Sequence, residues 1–316
     1  VTGYLIRRLL QSIVVTILVT IIVFVLLRLL PGGPARAILG PRATALQIQV
    51  FNHQQGFDRA APMQYLIWLG HLLRGDLGFS FRLNQSITAL IQERLPKTLI
   101  LTVLSTLLTV VVAVPLGFLQ AVRRNSVVDH TLTGLSFIFY AAPPFFIGIV
   151  SILAFAVWLP LLPAQAPQGG FFAVLGDPLG LILPVVALAV VQIALFSRYM
   201  RSSVLDNITQ DYVRTAQAKG APRRRILYRH VLRNALIPFV TLMGVYLPVL
   251  FSGALITESV FNYPGMGYLF WQSSQQEDYP VLLGFTLIVA MTTVLGSLLA
   301  DIAYAVLDPR VRYVRA

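Results

Sequence analysis

The chain has no cysteine, so neither a disulfide framework nor a thiolate metal site can be built from it. Its four histidines, His53, His71, His130 and His230, are far apart, and no His-x-x-x-His pair or neighbouring carboxylate pair marks a zinc site. No glycine loop ending in Gly-Lys-Ser/Thr is present to cradle a triphosphate, and no Gly-x-Ser-x-Gly nucleophile turn occurs. Catalysis by this chain, and ATP binding through a phosphate loop, are therefore not expected. Charge is scarce as well: 11% of the 316 residues are Asp, Glu, Lys or Arg, against about 25% in soluble proteins. Intramembrane charge is almost absent: Arg28 and Asp301 lie towards span ends, and Glu258 stands at the outer edge of the fifth span. Ionisable groups in mid-membrane are the usual mark of ion-coupled carriers, so an ion gradient is disfavoured as the energy source.

What is abundant is apolar surface, at 57% of residues. Six stretches are long enough to cross about 30 Å of hydrocarbon as helices of about 20 residues. They lie near Leu9–Leu30, Leu99–Val122, Leu132–Trp158, Leu179–Met200, Leu236–Thr257 and Val281–Val306. The first follows Arg7 and Arg8 but is too long for a signal-peptide core and lacks a small-x-small cleavage site, so it reads as a retained span. The formal net charge is +12, yet the basic residues cluster in short loops beside the spans. That distribution argues against a nucleic-acid partner and for lipid as the main solvent. Arg123, Arg124, Arg198, Arg201 and the run Arg223–Arg225 fall on the same side as both ends of the chain, while the loops after spans three and five have no Lys or Arg. The positive-inside bias then puts both termini in the cytoplasm.

The expected organisation is residues 1–30 as the N-terminus and first span, 31–98 as an extracytoplasmic insert, 99–306 as five further spans, and 307–316 as a cytoplasmic tail. The insert is too apolar for a disordered linker, and Thr44–Gln55 and Met63–Leu73 read as short helices, the second beside Pro62 in a favourable first-turn position. It is either a cap on the membrane domain or a docking surface for a soluble partner. Span three contains Pro143 and Pro144, which remove backbone donors and force a kink or break. The break either serves packing or lines a substrate path, since freed carbonyls in a membrane need protein or water. Ser136, Tyr140, Gln192 and Ser252 are polar side chains within the spans and are candidate pathway residues beside the two prolines.

The most informative stretch is a polar, basic interruption at 207–234, within the loop 201–235. Thr209 is placed to cap a helix, Asp211 suits its positive end and Lys219 its negative end. Gly220 can take a left-handed cap, and Pro222 prevents continuation. A helix this short is marginal alone and needs a surface. Thr215, Ala216 and Ala218 are small enough for close packing, either on anionic lipid with the help of Arg223–Arg225 or on a cytoplasmic partner.

This stretch, DYVRTAQAKGAPRRRILYRHVLRNALIP (Asp211–Pro238), closely resembles the signature loop of binding-protein-dependent ABC importer permeases of the dipeptide, oligopeptide and nickel branch. The resemblance extends along the chain through YLIRRLLQSI, LLRLLPGGP (Leu26–Pro34), GDLGFS (Gly75–Ser80), YPGMG (Tyr263–Gly267) and DPRVRY (Asp308–Tyr313). Arg214 and Thr215 stand at the first two places of the Glu-Ala-Ala-x-x-x-Gly pattern, with Ala216 and Gly220 at its second alanine and its glycine. His230 and Arg233 depart from the downstream Ile-x-Leu-Pro as the peptide branch does, and Gly33 replaces a common aspartate. The resemblance implies an all-α, six-span type I importer permease fold in the bacterial cytoplasmic (inner) membrane. It implies a coupling helix comprising Asp211, Tyr212, Arg214, Thr215, Ala216, Ala218, Lys219 and Gly220. The partners it implies are a second permease subunit, two cytoplasmic ATPase subunits or one fused ATPase that bind ATP and Mg, and an extracytoplasmic solute-binding protein. No cofactor in this chain itself is implied, and the solute is a peptide, nickel or a related small molecule.

Overall fold

A computed structural model of the chain describes residues 2–29, 33–40, 42–246 and 254–307. Among these, four helices are long and apolar enough to cross a membrane: Ile6–Leu26, Ile87–Val122, Pro178–Ile208 and Tyr279–Leu298. A fifth crossing is counted if Val127–Ala141 and Pro144–Trp158, bent by 103° at their junction, form one span. The bend has a local cause. A residue before proline is pushed out of the helical region, and Ala142 and Pro143 each precede one. Both are extended, with ψ of 132° and 138°. The expected fifth span, Leu236–Thr257, crosses residues 247–253, which lie outside the described residues, as do Ser252 and the 308–316 tail.

The chain forms two compact units, the first comprising Val1–Thr98, Phe251–Leu255 and Pro264–Ala316, and the second Leu99–Leu250 and Ile256–Tyr263. In the first unit, α1 (Thr2–Arg28) packs along the last helix, and its far end meets a small layer of short helices. These are α2 (Gly33–Leu39), α3 (Ala45–Gln55) and α4 (Ala61–Leu73). The sequence reading of α3 and α4 holds. Thr44 caps α3 by accepting from Gln47 N, while Gln47 Oε1 accepts from Thr44 N, a reciprocal capping box. Gly56 ends α3 at φ 70°. Against α1, Tyr65 shares a 2.8 Å hydrogen bond with Thr20 and stacks edge-on to Phe24 at 5.4 Å. Arg28 donates to Gln64 at 2.9 Å. A two-stranded hairpin follows, β1 (Phe79–Ser80) antiparallel to β2 (Gln85–Ser86), with Phe79 opposite Ser86.

Helix α5 (Ile87–Val122) begins well before Leu99, the expected start of span two. Glu93, Arg94 and Lys97 look like loop charges in sequence. In the structure Lys97 is buried and donates to Glu93 at 2.9 Å, one turn back along the same helix. Its 36 residues exceed the hydrocarbon thickness by several turns at about 1.5 Å per residue. The first unit's interior gathers Ile87, Leu90 and Ile91 with Met266, Leu269, Val281 and Phe285.

In the second unit, α6 (Val127–Ala141) and α7 (Pro144–Ile152) pack on α9 (Pro178–Ile208), after the short α8 (Phe171–Leu175). Helix α10 (Asp211–Ala218) is followed by α11 (Arg223–Arg225), π-helical turns over Ile226–Leu232 and α12 (Arg233–Val245). Among the described residues the chain continues with α13 (Leu255–Val260) and then, in the first unit, α14 (Met266–Gln275) and α15 (Tyr279–Leu307). Where α5 crosses α9, Gly117 is a point of close contact. A Cβ there would lie 2.4 Å from the Ser197 carbonyl oxygen and 2.6 Å from Met200 Cβ. Small residues at such crossings let membrane helices close on each other.

Candidate coupling surface and pathway

Helix α10 has two sharply different faces. Val213 is buried at 3% exposure in a cluster with Phe196, Met200 and Val204 of α9 and Val231, Ala235 and Phe239 beyond the loop. Tyr212 and Ala216 pack half-buried against the same cluster, and the Tyr212 hydroxyl donates to Asn207 Oδ1 at 2.7 Å. Asp211, Arg214, Thr215, Gln217, Ala218, Lys219 and Gly220 are exposed. Arg214 lies 3.6 Å from Asp211 across one turn, and the Thr215 hydroxyl donates to the Asp211 carbonyl at 3.0 Å.

The ends of α10 differ from each other. At the C-terminus Gly220 takes φ 73°, its N–H bonds Gln217 O at 2.9 Å, and Ala221 N–H bonds Ala216 O at 3.1 Å. This is the paired Schellman closure expected of a glycine in that place. At the N-terminus the expected Thr209 cap is absent. The α9 helix runs on through the polar stretch 201–208, and the Thr209 hydroxyl donates back to Asp206 O at 3.0 Å. Gln210 takes the cap position without a side-chain hydrogen bond. Ala216, read as part of the docking face, faces the protein instead, because it lies one turn from Val213 on the same stripe.

The candidate pathway residues separate. Ser136 is buried between α6 and α9, where its hydroxyl donates to Leu132 O at 2.8 Å and lies 3.5 Å from the Ser197 hydroxyl. Gln192 is half-buried and accepts from Thr109 at 3.3 Å. These two hold helices together. Tyr140 is exposed two residues before the bent segment that Pro143 and Pro144 create. Its ring lies 5.5 Å from the Arg198 guanidinium, which also sits 4.4 Å above Phe137.

One feature escaped the sequence reading. Arg201 of α9 donates from Nε and Nη2 to the two carboxylate oxygens of Asp129, each at 2.8 Å. Asp129 is almost fully buried and also accepts from the backbone N–H of Asn125 at 3.0 Å. Its own N–H donates to Ser126 Oγ, the cap of α6. The Ser126-x-x-Asp129 spacing is the available signal in the sequence, because it marks a helix start. The ion pair, the Gly117 crossing and the α10 core all bind helices within the second unit.

The architecture and this surface define a helical protein with several spans of membrane-crossing length and a polar loop helix seated on its core. The chain matches the family described as binding-protein-dependent transport system inner membrane component over residues 113–313. The family described as the N-terminal part of the binding-protein-dependent transport system membrane component matches over residues 1–102. It is 39% identical to the oligopeptide transport system permease protein AppB of Bacillus subtilis, over 98% of this chain and 99% of the relative. It is 38% identical to a putative peptide permease protein of Brucella suis, covering 98% of each chain. To a probable peptide ABC transporter permease protein of Sinorhizobium fredii it is also 38% identical, over 98% of this chain and 99% of the relative. The chain belongs to the binding-protein-dependent transport system inner membrane component family and is an integral inner membrane permease.

Proposed function

We propose that this chain is one permease half of an ATP-driven peptide importer, with α10 as the helix that takes the stroke from a cytoplasmic ATPase. The observation that carries the coupling role is the two-faced seating of α10. Val213 fixes the helix to the second unit's core while Asp211, Arg214, Thr215, Ala218 and Lys219 stand free on the other side. A switch needs a contact that differs between two states, and an exposed, charge-bearing helix face on a rigid seat supplies one. The peptide substrate is supported by the names of the relatives. In this reading both termini are cytoplasmic. A second, related permease completes the pathway, two ATPase subunits or one fused ATPase bind ATP and Mg, and a solute-binding protein delivers the peptide outside. This chain contributes no ATPase site of its own.

The test is affinity purification of the complex in mild detergent from wild type and from Ala218→Trp, which adds bulk only to the exposed face. A P-loop ATPase that co-purifies with wild type and is lost from the variant, with membrane insertion unchanged, supports the reading. A chain that purifies alone and moves solute by itself in liposomes overturns it.

A further inference from the structure

The first unit holds a half-open cavity of about 650 Å³, lined by no residue of α10. Pockets that hold small ligands span about 300–1,000 Å³ and are mainly apolar with a few placed polar groups. Here five aromatic rings line the space: Phe51 of α3, Phe57 of the following turn, Trp68 of α4, and Phe79 and Phe81 of the hairpin. The rings support each other, with Phe79 and Phe81 edge-on at 5.1 Å and Phe51 at 6.1 Å from both Phe57 and Phe81. Leu283, Gly284 and Leu287 of α15 also contribute to the lining.

The walls are fixed by buried hydrogen bonds. Gln64 is 4% exposed, and its amide nitrogen donates to the carbonyls of Phe57 and Arg59 at 2.8 and 2.6 Å. Its carbonyl accepts from Arg28, so every polar atom of the side chain is satisfied. On the opposite wall the buried Ser80 hydroxyl donates to Asp278, which ties the hairpin to the start of α15. Asp76 accepts from Gly78 N at 2.9 Å and pairs with His71 at 3.2 Å. The site is therefore built before any ligand arrives, which spares a ligand much of the ordering cost of binding.

Its chemistry combines aromatic faces with one charge of each sign, since Arg59 and Asp76 both belong to the lining. A fatty acid offers a carboxylate to Arg59 but no ammonium to Asp76 and no ring to the aromatic wall. A short peptide has use for all three features: a carboxylate for a guanidinium, an ammonium for a carboxylate, and apolar side chains for the rings. We propose that this cavity is a binding subsite for a short zwitterionic peptide with aromatic or large apolar side chains, its C-terminal carboxylate on Arg59 and its N-terminal ammonium at Asp76. The assignment rests on the peptide reading above.

The probe is the tripeptide Phe-Ala-Phe, added to the purified complex while Trp68 emission is followed. The complex carrying Trp68→Phe serves as the blank. The expected result is a saturable change with Phe-Ala-Phe and none with Gly-Gly-Gly. Affinity should fall about tenfold for the C-terminal amide, for Arg59→Gln and for Phe81→Ala, as loss of a charge-assisted bond or a ring contact implies. Arg59 and Phe81 are both exposed, so these variants keep the fold. No saturable signal, a signal indifferent to Arg59→Gln and the amide, or an equal signal with a saturated fatty acid overturns the subsite. Uptake of Phe-Ala-Phe by the same wild-type preparation separates the two layers. Uptake without a Trp68 response removes the subsite alone, and absence of both removes the peptide reading with it.

Discussion

Two short helices outside the long spans, α3 and α10, are held in place in opposite ways. Helix α3 is specified by its own sequence: a reciprocal capping box at Thr44 and Gln47 opens it, a left-handed Gly56 closes it, and none of its described side chains is buried. Helix α10 opens without a side-chain cap and is anchored by Val213 in the core of the second unit. A helix of the length of α3 is marginal alone, but its own caps supply part of its stability whatever it packs against. A core-anchored helix is positioned by everything behind it, so a push on its exposed face is passed to α9 and the helices locked onto α9. Under the proposed coupling role that contrast suits α10 to transmit force, and it can be broken from behind.

The largest effect is expected at Gly117. Leucine there must displace the α9 backbone, whose Ser197 carbonyl would be 2.4 Å from the new Cβ, and no rotamer relieves a backbone clash. Gly117→Leu should abolish recovery of a monodisperse complex in size-exclusion chromatography, whereas Gly70→Leu, with open space at its Cβ, should not. Next is the buried ion pair. Removing one partner strands the other charge, at a cost of about 3–5 kcal/mol in buried settings, and Arg201 is partly exposed (28%), which places the effect towards the lower end. Asp129→Leu should lower the thermal transition of the purified complex markedly. Adding Arg201→Met should restore most of it, because an apolar pair of similar volume replaces a desolvated one at little cost. If the double variant is as stable as wild type but uptake per ATP hydrolysed falls, the pair serves the coupling of α6 to α9 rather than stability. Equal uptake per ATP assigns it to packing.

Different layers of this fold were legible in the sequence to different degrees. Apolar length revealed the long helices, and Pro143-Pro144 revealed the break, because both are local properties. The bend of 103° is set by what the two halves pack against, which no local pattern encodes. The early start of α5 is hidden because charge suggests a loop, whereas Lys97 is buried on a helix and pairs with an exposed Glu93 one turn back. Thr209 misled for a related reason: the polar run before it remains helical, so the residue serves the end of α9. Of the expected coupling residues, Thr215 and Ala218 are outward and Ala216 inward, a distinction that follows from Val213 finding the core. Ser136 and Gln192 are polar in sequence whether they line a path or join helices, and it is their partners on another helix, Ser197 and Thr109, that show them joining helices. Asp129 and Arg201 are 72 positions apart, beyond the reach of any spacing rule.

The smallest effect sharpens the comparison from the other side. If α3 is specified by its caps, Thr44→Ala should cost about 1 kcal/mol, the usual value of an N-cap. Amide exchange across residues 45–55 should then rise about fivefold, since 1.4 kcal/mol corresponds to about a factor of ten in local opening. Exchange across 211–218 in the same sample should not change, because nothing in α10 depends on that cap. Gln210→Ala makes the reciprocal test: Gln210 makes no cap bond, so exchange in α10 should stay as it is. Val213→Ala should raise α10 exchange well above the α3 effect, as removal of buried methyl groups costs roughly 0.8 kcal/mol each before any cavity term. Should Thr44→Ala leave α3 as protected as before, that helix is held by its neighbours as α10 is, and the distinction between a self-made and a core-anchored helix would no longer single out α10.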